Sequence, residues 1–287
     1  MSVQVTTAFV EQYSANVQML SQQKGARLRR AVSEESVRGK NAFFEQIGTV
    51  AARKRPSRHA DTPRMDTPHA RRRVSLVDYD WADLIDQEDK VRMLIDPTSN
   101  YSMAAAWAMG RAMDDAIIEA ATGTAYTGED GSTAVVLPDA QKIVHGSAGL
   151  NLAKLLDAKE ILDGNDVDPD IKRYIACSAK QISDLLNTTE VKSSDYNTVK
   201  ALAQGQMNTF LGFEFIQLER LGLDGDSNRQ VIAWAEDGLK LGVGMSPVAK
   251  IDPRSDKNYA TQVFYSMAIG ATRMEEDKVV EIACVEA

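Results

Sequence analysis

The chain has 287 residues, 44% hydrophobic and 26% charged, with a net charge of −8, the composition of a globular chain with a real core. No apolar run approaches the roughly 18–20 residues that a membrane helix needs, and the first 20 residues show neither the basic start nor the apolar stretch of a secretion signal. Two cysteines, Cys177 and Cys284, are too few for a disulfide framework or a cysteine zinc site; both lie in apolar, strand-like contexts (YIACSA and VVEIACVEA) and read as buried thiols.

The charge is uneven. Residues 24–73 carry 14 Lys and Arg against 5 Asp and Glu, a net of +9, while the remainder carries 19 against 36, a net of −17. A basic segment on an acidic protein suits a nucleic-acid-binding arm. It suits equally an arm that lies on an acidic surface of another copy of the chain.

In chain order, residues 6–23 predict an amphipathic helix: Phe9, Tyr13, Val17 and Leu20 share a face, and Gly25 ends it. Residues 27–55 have no helical period and hold short strand-like pieces (LRRAVSEESVRG, AFFEQIGTVAARKR). Residues 71–85, RRRVSLVDYDWADLI, alternate as one strand. Just before it, and overlapping its start, lies RHADTPRMDTPHARRR, with two DTP turns and two of the chain's three histidines; Pro56, Pro63 and Pro68 mark an edge or a turn. The simplest geometry is a long two-stranded arm with its tip near 56–70. A 15-residue strand reaches roughly 50 Å, and an isolated hairpin is marginal in water, so the arm is expected to lie against something else.

After the acidic residues 82–93, Pro97 followed by Thr98 or Ser99 starts a helix over 99–122. Its stripe is Met103, Trp107, Gly110, Met113 or Asp114, Ile117 and Ala121. Beyond it come a Gly/Asp/Ser-rich region with one short strand (AVVLP), a helix at LNLAKLLDAKEILDG, and a buried strand at RYIACSA. Short helices follow at KQISDLLN and YNTVKALAQ, then a strand at FLGFEFIQLERL. QVIAWAEDGLKLGVG reads as a strand followed by a short helix or turn, and 257–287 as two long strands joined at 275–278. The class is α+β, with no βαβ alternation and no repeat of fixed period.

Motifs for chemistry fail one by one. Gly39-Lys40 lacks the rest of a phosphate loop, and LGVGMSP starts like G-x-G-x-x-G but has Pro247 in place of the third glycine. Asp166, Asp168 and Asp170 alternate as in a calcium loop, yet Ile171 replaces its glycine and Cys177 its glutamate; Asp224, Asp226 and Asn228 fail at Arg229. His59 and His69 can meet across the arm tip with Asp61 and Asp66 nearby, but two histidines make at most half of a zinc site. His145 has no nucleophile beside it, and Asp114 and Asp115 face different ways on their helix. No catalytic residue, metal or cofactor is therefore expected. The basic segment has only Phe43-Phe44 as a stacking pair, which weakens the nucleic-acid reading.

The order of parts resembles the major capsid proteins of tailed bacteriophages, the family with the Hong Kong 97-type fold. RHADTPRMDTPHARRRVSLVDYDWADLIDQEDKVRMLIDPTSNY is similar to the return strand of that family's extended loop leading into its spine helix. DLLNTTEVKSSDYNTVKALAQGQMNTFLGFEFIQLERL resembles its central segment, and YSMAIGATRMEEDKVVEIACVEA its closing strands. The resemblance covers essentially the whole chain. It implies an N-terminal arm helix over 1–26, an extended loop over 27–85, a peripheral domain from 86–124 and 241–287 with the spine helix at 99–122, and an axial region over 125–240.

The resemblance further implies a non-enzymatic shell subunit that self-assembles as hexamers and pentamers into the icosahedral head of a tailed double-stranded DNA phage. Its partners would be other copies of itself, a portal protein, scaffolding or decoration proteins, and packaged DNA touched non-specifically, with no membrane; the virion capsid would be its location, after assembly in the host cytoplasm. The charges suggest where copies meet: basic Arg58, His59, Arg64, His69, Arg71, Arg72 and Arg73 on the arm, acidic Asp78, Asp80, Asp83, Asp86 and Glu88 as their counterpart. Two alternatives stand beside this reading. One is an encapsulin-like nanocompartment shell of the same fold; the other is a soluble enzyme or DNA-binding protein.

Overall fold

The computed structural model describes residues 21–55, 57–59, 61–62, 64–86, 98–187 and 209–286. In chain order its strands are β1 (Ser33–Ser36), β2 (Asn41–Ile47), β3 (His69–Ser75), β4 (Val77–Ile85), β5 (Ala125–Thr127), β6 (Thr133–Val135), β7 (Lys142–Ile143), β8 (Arg173–Cys177), β9 (Thr209–Phe210), β10 (Phe213–Gln217), β11 (Arg229–Ala235), β12 (Leu239–Arg254), β13 (Ala260–Arg273) and β14 (Val279–Cys284). Its helices are α1 (Thr98–Thr122), α2 (Leu152–Gly164) and α3 (Ala179–Asn187).

The strands form three sheets. One has four strands in the order β1-β12-β13-β4, one has six in the order β7-β14-β11-β8-β10-β9, and a small one runs β2-β3-β5-β6. β8 and β11 read as nearly unbroken apolar runs (RYIAC, QVIAWA) because both faces of the six-stranded sheet are covered. Their alternation divides them between two cores. Tyr174, Ala176, Ile232 and Trp234 face the core shared with α1 and the four-stranded sheet. Ile175, Cys177, Val231, Ala233 and Ala235 face the core under α2 and α3. Trp234 is 1% exposed, stacks on Tyr174 with 6.0 Å between ring centroids, and donates its indole N–H to the carbonyl of Ala31 at 2.8 Å. That bond ties the chain's N-terminal part to the centre of the molecule.

α1 is the longest helix, 25 residues or about 37 Å. The expected bounds hold, but the expected stripe mixes two faces. Ala105, Met109, Met113, Ile117 and Ala121 are the buried row, at the i, i+4 spacing of a core face. Trp107, Gly110 and Asp114 lie on a second face, which carries residues 22–28 of the same chain. A Cβ at Gly110 would strike the backbone of Gly25 and Ala26, and Lys24 sits over the Trp107 ring at 5.5 Å.

Two further expectations are revised and two are made specific. Residues 71–85 are not one strand: β3 belongs to the small sheet and β4 to the four-stranded sheet, with Leu76 between them. FLGFEFIQLERL is broken by a tight turn, because Leu211 and Gly212 both take positive φ (53° and 89°) and fold β9 back on β10. Of the short helix or turn expected after the QVIAWA strand, the turn is present, closed by the bond from Gly238 N to Ala235 O and followed by the 16-residue β12. The closing strands β13 and β14 enter different sheets. Of the expected helix over 6–23, residues 6–20 lie outside the described residues, and 21–23 are irregular; the expected YNTVKALAQ helix also lies outside them.

Candidate assembly interface

β2 and β3 pair in antiparallel register from Asn41↔Ser75 to Ile47↔His69 and form the root of an arm. Beyond Gly48, whose N–H donates to the carbonyl of Pro68 at 2.9 Å, residues 49–67 are irregular and exposed wherever they are described. Proline supplies no ladder donor, which keeps that proline-bearing stretch from continuing as paired strand; at the expected DTP turns the described residues 61–62 and 64–68 are irregular.

The structure sorts the residues expected to meet another copy into different settings. Arg58, His59 and Arg64 stand exposed on the tip, and His69 is exposed at the start of β3. Strand alternation splits the arginine run. Arg71 turns outward, pairs with Glu45 at 3.0 Å and lies over Phe43 at 5.5 Å. Arg73 is half-buried with its guanidinium 4.6 Å from the centroid of the Tyr126 ring. Arg72 points inward: it is 6% exposed, donates through Nε to the carbonyl of Met274 at 2.8 Å and pairs with Glu276. Arg72 is therefore an internal residue, not a surface contact, because its place in β3 has the parity of buried Val74.

The acidic counterparts run along β4, an edge strand paired on one side only, to β13. Asp78, Asp80 and Asp86 are exposed and Asp83 is half-buried, while Tyr79 and Trp81 pack inward on the core beneath α1; Glu88 lies outside the described residues. Among the described residues no ion pair joins the tip arginines to these aspartates. Nor does any group of three or more His, Cys, Asp or Glu side chains among them form a metal site. A cleft of about 440 Å³ beside the arm root is lined by Glu45, His69, Arg71, Thr127 and Glu129, and the Thr127 hydroxyl donates to the carbonyl of Arg71 at 2.8 Å.

The sequence reading missed three features that hold the arm and the N-terminal segment in place. The first is a glycine saddle. Gly242 and Gly270 are cross-strand partners in β12 and β13. A Cβ on Gly270 would strike the carbonyl of Ser75, one on Gly242 would lie 2.9 Å from Val37, and one on Gly244 would strike Leu76. The chain thus crosses the face of the sheet opposite α1 where side chains are absent. LGVG, which starts like G-x-G-x-x-G, makes room for the side chains of Val37 and Leu76, while Gly270 admits the backbone of Ser75; glycines two apart in a strand were the available signal.

The second feature is Asp114, 0% exposed. Its carboxylate accepts from the backbone N–H groups of Arg27 (3.0 Å) and Leu28 (2.9 Å) and from the Gln23 side chain. Burial raises its pKa against the pull of those donors. The third is Arg273, also 0% exposed, which donates to the carbonyls of Ala121 and Gly123 at the end of α1. Cys177 and Cys284 are free and buried, and burial pushes their thiols up to about 12 and about 11, so neither is a poised nucleophile.

A helix-backed sheet, a second sheet covered on both faces, and a basic arm whose tip residues are exposed wherever they are described make up the chain's architecture. A family model described as phage capsid protein matches residues 5–286. The chain belongs to that family: it is a structural protein of a phage capsid, not an enzyme. Solved capsids share the fold. The capsid protein of cyanophage P-SCSP1u matches with a TM-score of 0.74 at 18% identity, covering 99% of this chain and 95% of that one. That of Ralstonia phage GP4 matches with a TM-score of 0.76 at 9% identity, covering 98% and 96%. That of a native GTA particle gives 0.72 at 13%, covering 99% and 98%. The fold is thus the α+β, Hong Kong 97-like one that the sequence resemblance implied. No curated protein matches the chain in sequence. The family does not favour the nanocompartment-shell alternative.

Proposed function

We propose that this chain is the major subunit of the icosahedral head of a tailed double-stranded DNA phage, built from its hexamers and pentamers. In this reading the arm of one copy lies on the acidic β4 edge of the next. The observation that carries it is an exposed basic tip and an exposed acidic edge strand that share no ion pair among the described residues.

Edge chemistry supports β4 as the receiving edge. β12 is also free beyond Val243, where β1 stops covering it, but that edge is blunted by Pro247, Lys250, Pro253 and two irregularities in register. β4 carries no proline and no lysine (VDYDWADLI), so its N–H and C=O groups are open to another strand.

The domain scheme of an N-terminal arm over 1–26, an extended loop over 27–85, a peripheral part and an axial part belongs to the same proposal. So do a portal protein, scaffolding or decoration proteins and packaged DNA as further partners, and assembly in the host cytoplasm.

The test is electron microscopy of the purified protein and of a variant lacking residues 56–70. Closed shells or capsomer rings from the parent, and a folded but assembly-impaired deletion variant, are expected. Normal shells from the deletion variant overturn the arm's role.

A further inference from the structure

The corner between β13 and β14 carries charged side chains that packing alone does not call for. Arg273 is fully buried; its Nη1 donates to Ala121 O (2.8 Å) and Gly123 O (2.9 Å), its Nη2 to Val135 O (3.1 Å) and its Nε to Glu276 (3.5 Å). Arg72, from β3, pairs with the same glutamate and donates to Met274 O, and Gln46, from β2, donates to that carbonyl too. Both strands of the arm root therefore grip one carbonyl, and one carboxylate links the arm to the arginine that closes α1.

Two guanidiniums share one carboxylate, which leaves a net positive charge in a nearly dry site. The end of α1 offsets it, since free carbonyls there carry partial negative charge; burial still holds Arg273 below its usual range. Stability is a poor reason for such a network, because apolar side chains of similar volume often do as well or better. Direction is a better one: a planar guanidinium fork accepts few geometries. A swivel at the root would need a loose, solvated joint, and the root is neither.

We propose that Arg72, Glu276 and Arg273 are positioning residues that lock the arm at one bearing to α1, so that every copy presents its tip to the next at the same angle. This rests on the reading of the arm as an assembly element.

The test uses the full chain as unassembled subunits, with spin labels on Ile47→Cys and Met103→Cys, both exposed sites (69% and 44%); the native thiols are buried. The double variant Arg72→Met with Glu276→Leu leaves Arg273 its three carbonyls. It is expected to keep its melting midpoint, to lose the single sharp maximum of the label distance, and to give particles of irregular size. Glu276→Asp, which keeps the charge on a shorter stem, is expected to shift the mean distance without broadening it. A distance distribution unchanged in both variants overturns the proposal, as does a fall in melting midpoint with the distribution still sharp. Because the distance is read in single subunits, it stands apart from the arm's role: a sharp-to-broad change together with normal assembly of the 56–70 deletion sinks the arm reading alone.

Discussion

Single residues anchor the N-terminal quarter of this chain. Asp114 takes the part-buried backbone N–H of Arg27 and the buried one of Leu28, which have no other acceptor on that face of α1 among the described residues. Removing it leaves each donor unsatisfied at roughly 1–3 kcal/mol, so Asp114→Ala is expected to lower subunit stability by about 2–4 kcal/mol in urea unfolding. At the other end, Glu286 accepts from Arg229 (2.7 Å), Gln181 (2.7 Å) and Ser178 (2.9 Å). The Arg229 bond, first among these, holds its carboxyl below the usual range. A depressed carboxyl adds stability above the ordinary Glu value and loses it as pH falls through the lowered one. Glu286→Gln is therefore expected to flatten the acid side of the stability profile, read as urea midpoints across pH; an acid limb as steep as the parent's tells against this. Asp114 has the opposite sign: its raised value favours the fold in acid and loses that advantage as pH rises through it. Neither role was legible in the sequence. An Asp-Asp pair on a helix shows which way each points but not that a backbone 86 residues upstream supplies donors.

At the level of elements, periodicity located α1, α2, β8 and β14 because each buries a regular face. It failed where one stretch of alternation serves two sheets. In 71–85, Val74 and Leu76 pack in a small cluster with Val37 and Phe44, while Tyr79 and Trp81 pack beneath α1. The alternation continues past Leu76, but the partner changes, and only the glycine saddle explains where. The saddle is open to a direct check. Gly270→Ala pushes a methyl into the backbone at Ser75; overpacking of this kind costs typically 1–3 kcal/mol. A loss of that size in thermal or urea unfolding is expected, with faster hydrogen exchange in β2 and β3 than in β8 and β11. A neutral Gly270→Ala would mean that the crossing is looser than the geometry indicates.

For the whole molecule, charge segregation was visible before any fold was, and it pointed to partners in other copies. What composition overstated was the strength of the arm's surface charge: of the three consecutive arginines only Arg71 and Arg73 face outward, and Arg71 is already paired. Exposed ion pairs bring only about 0–1 kcal/mol each, so the lattice contacts proposed here must act through number. Assembly yield is expected to fall from 0.1 M to 1 M salt, where the screening length shrinks from about 10 Å to about 3 Å. Asp78→Lys with Asp80→Lys is expected to block shell formation, and adding Arg58→Glu with Arg64→Glu to the same chain to restore it in part, as seen by sedimentation. A block with no restoration would place the tip on another surface.

The path of residues 22–76 has a consequence for how the protein comes into being. This segment crosses α1 at Gly110, rounds the rim of the four-stranded sheet as β1 beside β12, and passes over the far face at Gly242 and Gly270. It is a belt whose buckles are made 87 and 207 positions later: Arg27 meets Asp114, and Ser33 meets Lys240. The belt leaves the ribosome before the residues that fasten it. Contacts so distant along the chain make for slow folding, and the basic arm stays unanchored until nearly the whole polypeptide has been synthesised. If the arm acts as proposed, subunits do not offer a correctly aimed arm before their bodies are complete, a delay that separates folding from polymerisation in time.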